Sequence, residues 1–395
     1  MRQRLRLWRR FESSRRSDRG RCRLIFKVGQ IVNGELAEMP RPIAVDLFCG
    51  AGGMSLGFHR AGFDVRVAID VDQRNVTTYQ ENFPGAQVLQ ADMNTLEPDR
   101  IAQHLPKRAT VDVVFGGPPC QGFSLIGKRA PNDERNKLIF AFARILRDIR
   151  PKFFVLENVP GLRSGTMATQ LERFIRLVRK FGYQVHTPSI LDSLNFGVPQ
   201  RRVRLFIIGA LNGQAVPALP APLGARVTVW DAISDLPEVS EYPELLESDR
   251  YNGVLAMPSS QYAEALSDRD SRVKWQRQGL GGCRRTQHSE KVVKRFEATH
   301  PGSMESVSRF HRLSGAGISP TLRAGTGPDN GSHTAPRPIH PIAPRCITTR
   351  EAARLHSFPD WFEFHETKWH GFKQVGNSVP PLLAYAVASQ LKLSL

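Results

Sequence analysis

Ile43-Ala-Val-Asp-Leu-Phe-Cys-Gly-Ala-Gly-Gly-Met54 decides the fold of this chain. Its first five residues form an apolar run that stops at turn residues, the pattern of a strand covered on both faces. Gly50, Gly52 and Gly53 follow, where the backbone can approach a ligand closely. Met54 to Ala61 then starts a helix, whose N-terminus faces that turn. The spacing differs from Gly-x-Gly-x-x-Gly and by itself fits any dinucleotide- or adenosine-binding fold.

Working outward, the same alternation continues. Strands are expected over Phe63–Ile69, Gln87–Gln90, Val111–Phe115, Phe153–Leu156 and Val203–Ile208. Helices are expected over Gln73–Asn82, Leu138–Arg147 and Leu171–Phe181. Such a series predicts an α/β protein with a doubly wound, Rossmann-like sheet. Beyond Gly209 the texture changes: residues 211–340 are rich in Pro, Gly, Ser, Arg and His with weak periodicity, as in a second, smaller irregular domain. Thr348 should cap a helix running to Leu355, and Pro381 to Leu391 should form a last one.

Acids mark the ends of the first three strands: Asp46, Asp70 and Asp92. An acid at the second position can take both ribose hydroxyls, and one at the third can accept from an adenine amino group. Together with the Gly-rich turn they imply a nucleoside pocket. The fourth strand leads into Gly116-Gly-Pro-Pro-Cys-Gln-Gly-Phe-Ser124. Cys120 therefore lies just past a central strand, where open α/β sheets bind ligands. Two prolines stiffen the backbone beneath it, and a thiol of lowered pKa needs no metal to act as a nucleophile.

Composition narrows the partner. The chain has 395 residues and a formal net charge of +18, which implies a polyanion, most often nucleic acid. Residues 1–41 carry eleven arginines and one lysine against four acids, a net of +8. They read as a basic extension without an amphipathic or secretory pattern. Cys22, Cys49, Cys120, Cys283 and Cys346 are far apart, with no Cys-x-x-Cys pair, which argues against a zinc site or disulfide framework and for a reducing cytoplasm. No apolar run is long enough to span a bilayer.

With Cys120 added, the residues resemble the cytosine-5 DNA methyltransferase family of bacterial restriction–modification systems. The resemblance rests on Asp46–Gly53, Gly116–Ser124, Glu157-Asn-Val159, Gln200-Arg-Arg-Val-Arg204, Arg350-Glu-Ala-Ala-Arg354 and Gly376-Asn-Ser-Val379, which occur in the family's order. It implies that Cys120 adds to C6 of a flipped cytosine and that C5 then takes a methyl group from S-adenosyl-L-methionine. It assigns Glu157 to N3 and the exocyclic amine, Arg204 to the carbonyl oxygen, and Arg202 to bracing the catalytic loop. Cofactor contacts are implied for Phe48, Gly50, Gly52, Gly53, Asp70, Val71, Asp92, Met93, Pro119, Leu138, Asn377 and Val379. No metal is implied.

The flipped base requires a loop that traps it, and Gln121–Glu134 has the small hinges and positive charge for that. Ile126 departs from relatives that carry a polar residue there. The implied organisation is a basic extension (1–41), a cofactor-binding and catalytic domain (42–210), a target-recognition domain (211–340) and a returning C-terminal segment (341–395). Trp275, Arg284, Arg285, Gln287, His288 and the run Ser319–Gly325 are candidate DNA-reading residues, the last also fitting scaffold. The partner is double-stranded DNA in a bacterial, nucleoid-associated setting, the enzyme acts as a monomer, and a cognate restriction endonuclease acts separately. Two other readings stay open, a transfer RNA cytosine-5 methyltransferase and a catalytically idle DNA-binding relative. The long recognition region favours DNA over the first, and the intact Cys120, Glu157 and Arg204 favour turnover over the second.

Overall fold

The computed structural model describes residues 40–107, 109–119, 137–224, 226–325 and 337–395. Among these, eight strands build one sheet: β1 (Ile43–Leu47), β2 (Asp64–Asp70), β3 (Gln87–Gln90), β4 (Val113–Gly116), β5 (Phe153–Asn158), β6 (Tyr183–Val185), β7 (Ser189–Asp192) and β8 (Val203–Leu211). Their order is β3-β2-β1-β4-β5-β8-β6, with β7 also beside β8. The first five are parallel to one another, and β8 runs antiparallel to β5, β6 and β7. The expected doubly wound, Rossmann-like architecture is the one observed.

Alternation along the strands sorts side chains between two cores. Val45, Leu47, Ile69, Val114 and Phe154 face the helices Leu138–Ile149 and Thr166–Lys180, where Phe142 and Phe174 meet them. Ala44, Val65, Phe115 and Val155 face the other way, against Phe58 of the helix Gly53–Arg60 and Leu383 and Val387 of the helix Pro381–Leu393. A sheet covered on both faces needs apolar residues at every position, which is why its strands read as continuous runs. A third core joins Tyr79 and Phe83 to Phe358 and Phe362 of the C-terminal region.

Several boundaries differ from the sequence expectation for identifiable reasons. β5 runs on to Asn158 because β8 pairs with it as far as Asn158↔Leu205. β4 begins only at Val113, since the Asp112 carboxylate is engaged by the Ile43 N–H at 2.7 Å and by Lys152 at 2.7 Å. β6 and β7 are short, partly polar strands held by β8. The segment ending in Gly376-Asn377 is a helix, Lys368–Asn377. The Thr348 cap is present as a capping box: Thr348 Oγ1 accepts from Glu351 N, and Glu351 Oε2 accepts from Thr348 N at 2.7 Å. No described helix is long and apolar enough to cross a membrane.

Candidate active site

The strand order reverses between β1 and β4, and this is the point at which an open sheet leaves a crevice beyond its carboxyl ends. Register aligns Leu47 with Ile69 and Gly116, and Asp70 with Gln90. Phe48, Asp70–Val71, Asp92 and Gly117–Pro119 therefore leave the sheet along one edge.

The Gly-rich turn is held from below and open above. Cys49 N donates to Ile69 O at 2.9 Å, and Gly50 N to Asp70 Oδ2 at 2.9 Å. Asp70 also accepts from Asp72 N at 2.8 Å and Asn75 Nδ2 at 3.2 Å, bonds that offset part of the rise in its pKa caused by burial. Phe48 adopts φ 65°, a left-handed backbone that a phenylalanine rarely accepts and that turns the chain away from β1. A side chain at Gly50 would meet nothing within 4 Å, so that face borders open space. Gly52, at φ 100°, has no such room, because a Cβ there would collide with the Phe83 ring.

Beside the turn, Val71 is 66 % exposed, an apolar surface with no protein cover. Asp92 is exposed and accepts from Asn94 N at 2.9 Å. Met93 is buried, and its carbonyl accepts from Arg144 at 2.9 Å. Leu138 is buried at the start of its helix, whereas Pro119 and Asn377 are exposed. Val379 closes the turn from the C-terminal side, with its carbonyl oxygen 2.6 Å from where a Gly53 Cβ would stand. Open space at Gly50, an exposed apolar neighbour and a carboxylate at the end of β2 fit a nucleoside.

Asp46 has a different place from the other two acids. It is 1 % exposed, and its carboxylate accepts from Ser55 Oγ at 2.5 Å, which in turn accepts from Tyr79 OH at 2.7 Å. Burial and the Asp70 charge push its pKa well above the ordinary value. It braces the turn from within and is not one of the pocket's exposed acids.

Next to this lies a second cluster. Glu157, at the end of β5, forms an ion pair with Arg204 of β8, Oε1 to Nε at 3.0 Å. Burial raises the Glu157 pKa, and the Arg204 and Arg202 guanidiniums draw it back. Gly117 makes room for that carboxylate, since a Cβ there would lie 2.7 Å from Glu157 Oε2. Asn158 had no role in the sequence reading, yet its Nδ2 donates to Pro118 O at 3.1 Å and ties the Pro-Pro segment to β5. Cys120, Ile126 and the Gln121–Glu134 loop lie outside the described residues, as does the extension before Pro40. Arg202 is 1 % exposed and donates to Leu322 O at 3.1 Å and Gly376 O at 2.8 Å.

The candidate DNA-reading residues divide. Arg284 Nε is bound to Leu246 O at 3.1 Å, and His288 Nε2 accepts from Cys346 N at 3.2 Å, so both are built into the fold. Arg285 is half-buried, Gln287 is exposed, and Trp275 lies in the helix Arg269–Gln278. Ser319–Gly325 is scaffold over most of its length: Ser319 N donates to Pro199 O, Arg201 N to Ser319 O, and Thr321 Oγ1 to Arg201 O. Among the described residues no cluster of His, Cys, Asp and Glu could hold a metal ion.

This sheet, with an open Gly-rich turn and acids along its carboxyl edge, is the Rossmann-like methyltransferase fold. The chain belongs to the C-5 cytosine-specific DNA methylase family, whose model matches residues 44–393. It is an enzyme that methylates cytosine C5 in DNA. It is 47 % identical over 367 residues to the Type II methyltransferase M.XorII of Xanthomonas oryzae pv. oryzae, covering 90 % of this chain and 86 % of that one. It is 37 % identical to the Type II methyltransferase M1.HphI of Haemophilus parahaemolyticus, covering 87 % and 85 %. A prophage-encoded E. coli protein described as a DNA modification methyltransferase superposes with a TM-score of 0.77 at 34 % identity, covering 89 % of this chain and 99 % of that chain.

Proposed function

We propose that the chain is the sequence-specific methyltransferase of a restriction–modification system and that it uses S-adenosyl-L-methionine through a covalent adduct at Cys120. The observation that carries this reading is the buried Glu157–Arg204 pair next to the Gly117–Pro119 segment, which Cys120 follows in the sequence. The Type II relatives support the biological setting.

When bound, the cofactor supplies an electrophilic methyl group at its sulfonium. The chain's residues do the rest. Asp70 takes the ribose hydroxyls, Phe48 and Val71 flank the adenine, and Asp92 accepts from its amino group. Gly50, Gly52 and Gly53 admit the methionine end, with Met93, Pro119, Leu138, Asn377 and Val379 completing the walls. The Cys120 thiolate adds to C6 of the flipped cytosine. Glu157, its carboxyl raised by burial, holds a proton for N3, and Arg204 holds the carbonyl oxygen, so the ring accepts the electron pair. Methyl transfer at C5 and loss of the C5 proton then expel the cysteine. Arg202 positions this cluster from beneath. The enzyme acts as a monomer, residues 211–340 read the target, and a separate endonuclease shares the site.

The test is modification sequencing of plasmid DNA from cells expressing the protein, beside a Cys120→Ala control. One short motif carrying 5-methylcytosine with the wild type alone supports the reading. Unmodified DNA from soluble wild-type protein overturns it. A Cys120→Ser variant should bind the cofactor and lose turnover.

A further inference from the structure

Two buried polar connections run side by side from Leu322, in the later part of residues 211–340, to the segment Gly376–Ser378. In one, Leu322 N donates to Gln200 Oε1 at 3.0 Å, Gln200 Nε2 bonds His356 Nδ1 at 2.9 Å, and His356 Nε2 bonds Ser378 O at 2.9 Å. In the other, Arg202 spans Leu322 O and Gly376 O. Gln200 and His356 are 0 % exposed and Arg202 is 1 % exposed, so both paths are shielded from bulk solvent.

Every direction in the first path is fixed by its ends. A backbone N–H can only donate and a backbone carbonyl only accept. Gln200 therefore turns its oxygen to Leu322 and its amide nitrogen to His356, and His356 carries its proton on Nε2. Burial and the Arg202 and Arg204 charges keep that imidazole neutral. The path's two ends join different parts of the fold. Ser319 and Thr321, just before Leu322, are bonded to Pro199–Arg201 at the start of β8. Ser378 and Val379 press on Gly53 of the cofactor turn.

We propose that Gln200 and His356 are positioning residues that couple DNA engagement to cofactor binding by locking the Leu322 segment to the Ser378–Val379 wall. The inference rests on the reading above, in which residues 211–340 meet DNA and Gly53 and Val379 meet the cofactor. A shift of Leu322 alone would leave buried donors or acceptors unpaired, so the two segments move together or lose their bonds. Ligand energy at one end is thereby felt at the other.

The test uses the full-length enzyme, its cognate duplex as found by modification sequencing, and S-adenosylhomocysteine as the cofactor-site probe. The Kd of the probe is measured with and without duplex. The wild type should bind the probe about five-fold or more tightly with duplex present, the lower end of common coupling factors. His356→Met fills the space without bonding Ser378, leaves the Arg202 path in place, and should lower that ratio measurably. His356→Gln can accept from Gln200 and donate to Ser378 O, and should restore it. A purely structural role would weaken both affinities and leave the ratio unchanged. If His356→Met does not fold, the shorter His356→Asn, which reaches one partner at most, serves in its place. A wild-type ratio of one, or an undiminished ratio in the bond-breaking variant, overturns the inference. Wild-type enzyme that methylates no DNA overturns instead the reading on which it rests.

Discussion

At the scale of single residues, two buried carboxyls show how environment sets role. Glu157 keeps a cation beside it and lies next to the crevice, whereas Asp46 has the Ser55 hydroxyl and the repulsion of Asp70. A carboxyl whose folded-state pKa is raised contributes stability that is whole below the ordinary carboxylate range. That stability is lost as pH rises through the folded-state value. Asp46→Asn keeps an acceptor for Ser55 Oγ and cannot ionise. Its melting temperature should therefore fall less than the wild type's from about pH 5 to about pH 9, and parallel curves would contradict the assignment. Gly117 permits a sharper test of the proposed catalytic role of the Glu157 cluster. In Gly117→Ala the new methyl meets Glu157 Oε2, the mobile end of a side chain, so the fold can adapt while the carboxylate cannot stay in place. Turnover should drop about 10²-fold, as for small displacements of reacting groups, with the melting temperature nearly unchanged. A large loss of stability with kcat intact would show that Gly117 serves only packing.

At the scale of elements, the wall of the Gly-rich turn depends on two helices in close contact. A Cβ at Gly57 would lie 2.5 Å from Tyr385 N and overlap Ala384, and neither backbone can rotate aside. Gly57→Ala should force the helix Gly53–Arg60 away from Pro381–Leu393. The expected net loss is about 1–2 kcal/mol, overpacking outweighing alanine's helix preference, and it is readable by denaturant unfolding. Cofactor affinity should fall with it, since Gly53 on the same helix abuts Val379. An equally stable variant would mean the helices have slack. The parallel strands and their helices were legible because a sheet buried on both faces leaves unbroken apolar runs. β6 and β7 were not, because three- and four-residue strands with Gln184 and Ser189 take their shape from β8 rather than from their own pattern. The acids at the strand ends were legible as a set, but not that Asp46 would point inward. The Gln200–His356 bond was invisible for a simpler reason: 156 positions separate the partners, and no local periodicity records such a contact.

At the scale of the molecule, buried arginines fasten residues 211–340 to the C-terminal segment. Arg354 bonds Asp235 at 3.1 Å and Asp360 at 2.7 Å, and Arg345 bonds Glu238 and Glu351, each at 2.8 Å. These ties hold a loop-rich region to the C-terminal segment, and they occupy arginines that the sequence alone would have counted toward DNA. Each cluster sets two carboxylates against one arginine, a formal net of −1, so these ties do not reduce the net charge of +18, of which residues 1–41 supply +8. Those residues precede the stretch matched by the family model, which starts at residue 44. A chain beginning at Pro40 should therefore keep the same methylated motif and the same kcat. Its DNA affinity should depend less steeply on salt, the slope falling by about 0.9 for each phosphate contact that the extension makes. Measuring Kd for cognate and scrambled duplexes across a salt series separates the two contributions. Loss of affinity for both duplexes alike marks the extension as a sequence-independent anchor. A change in the ratio between them would place it in recognition, and an unchanged slope would show that its charge never meets the DNA.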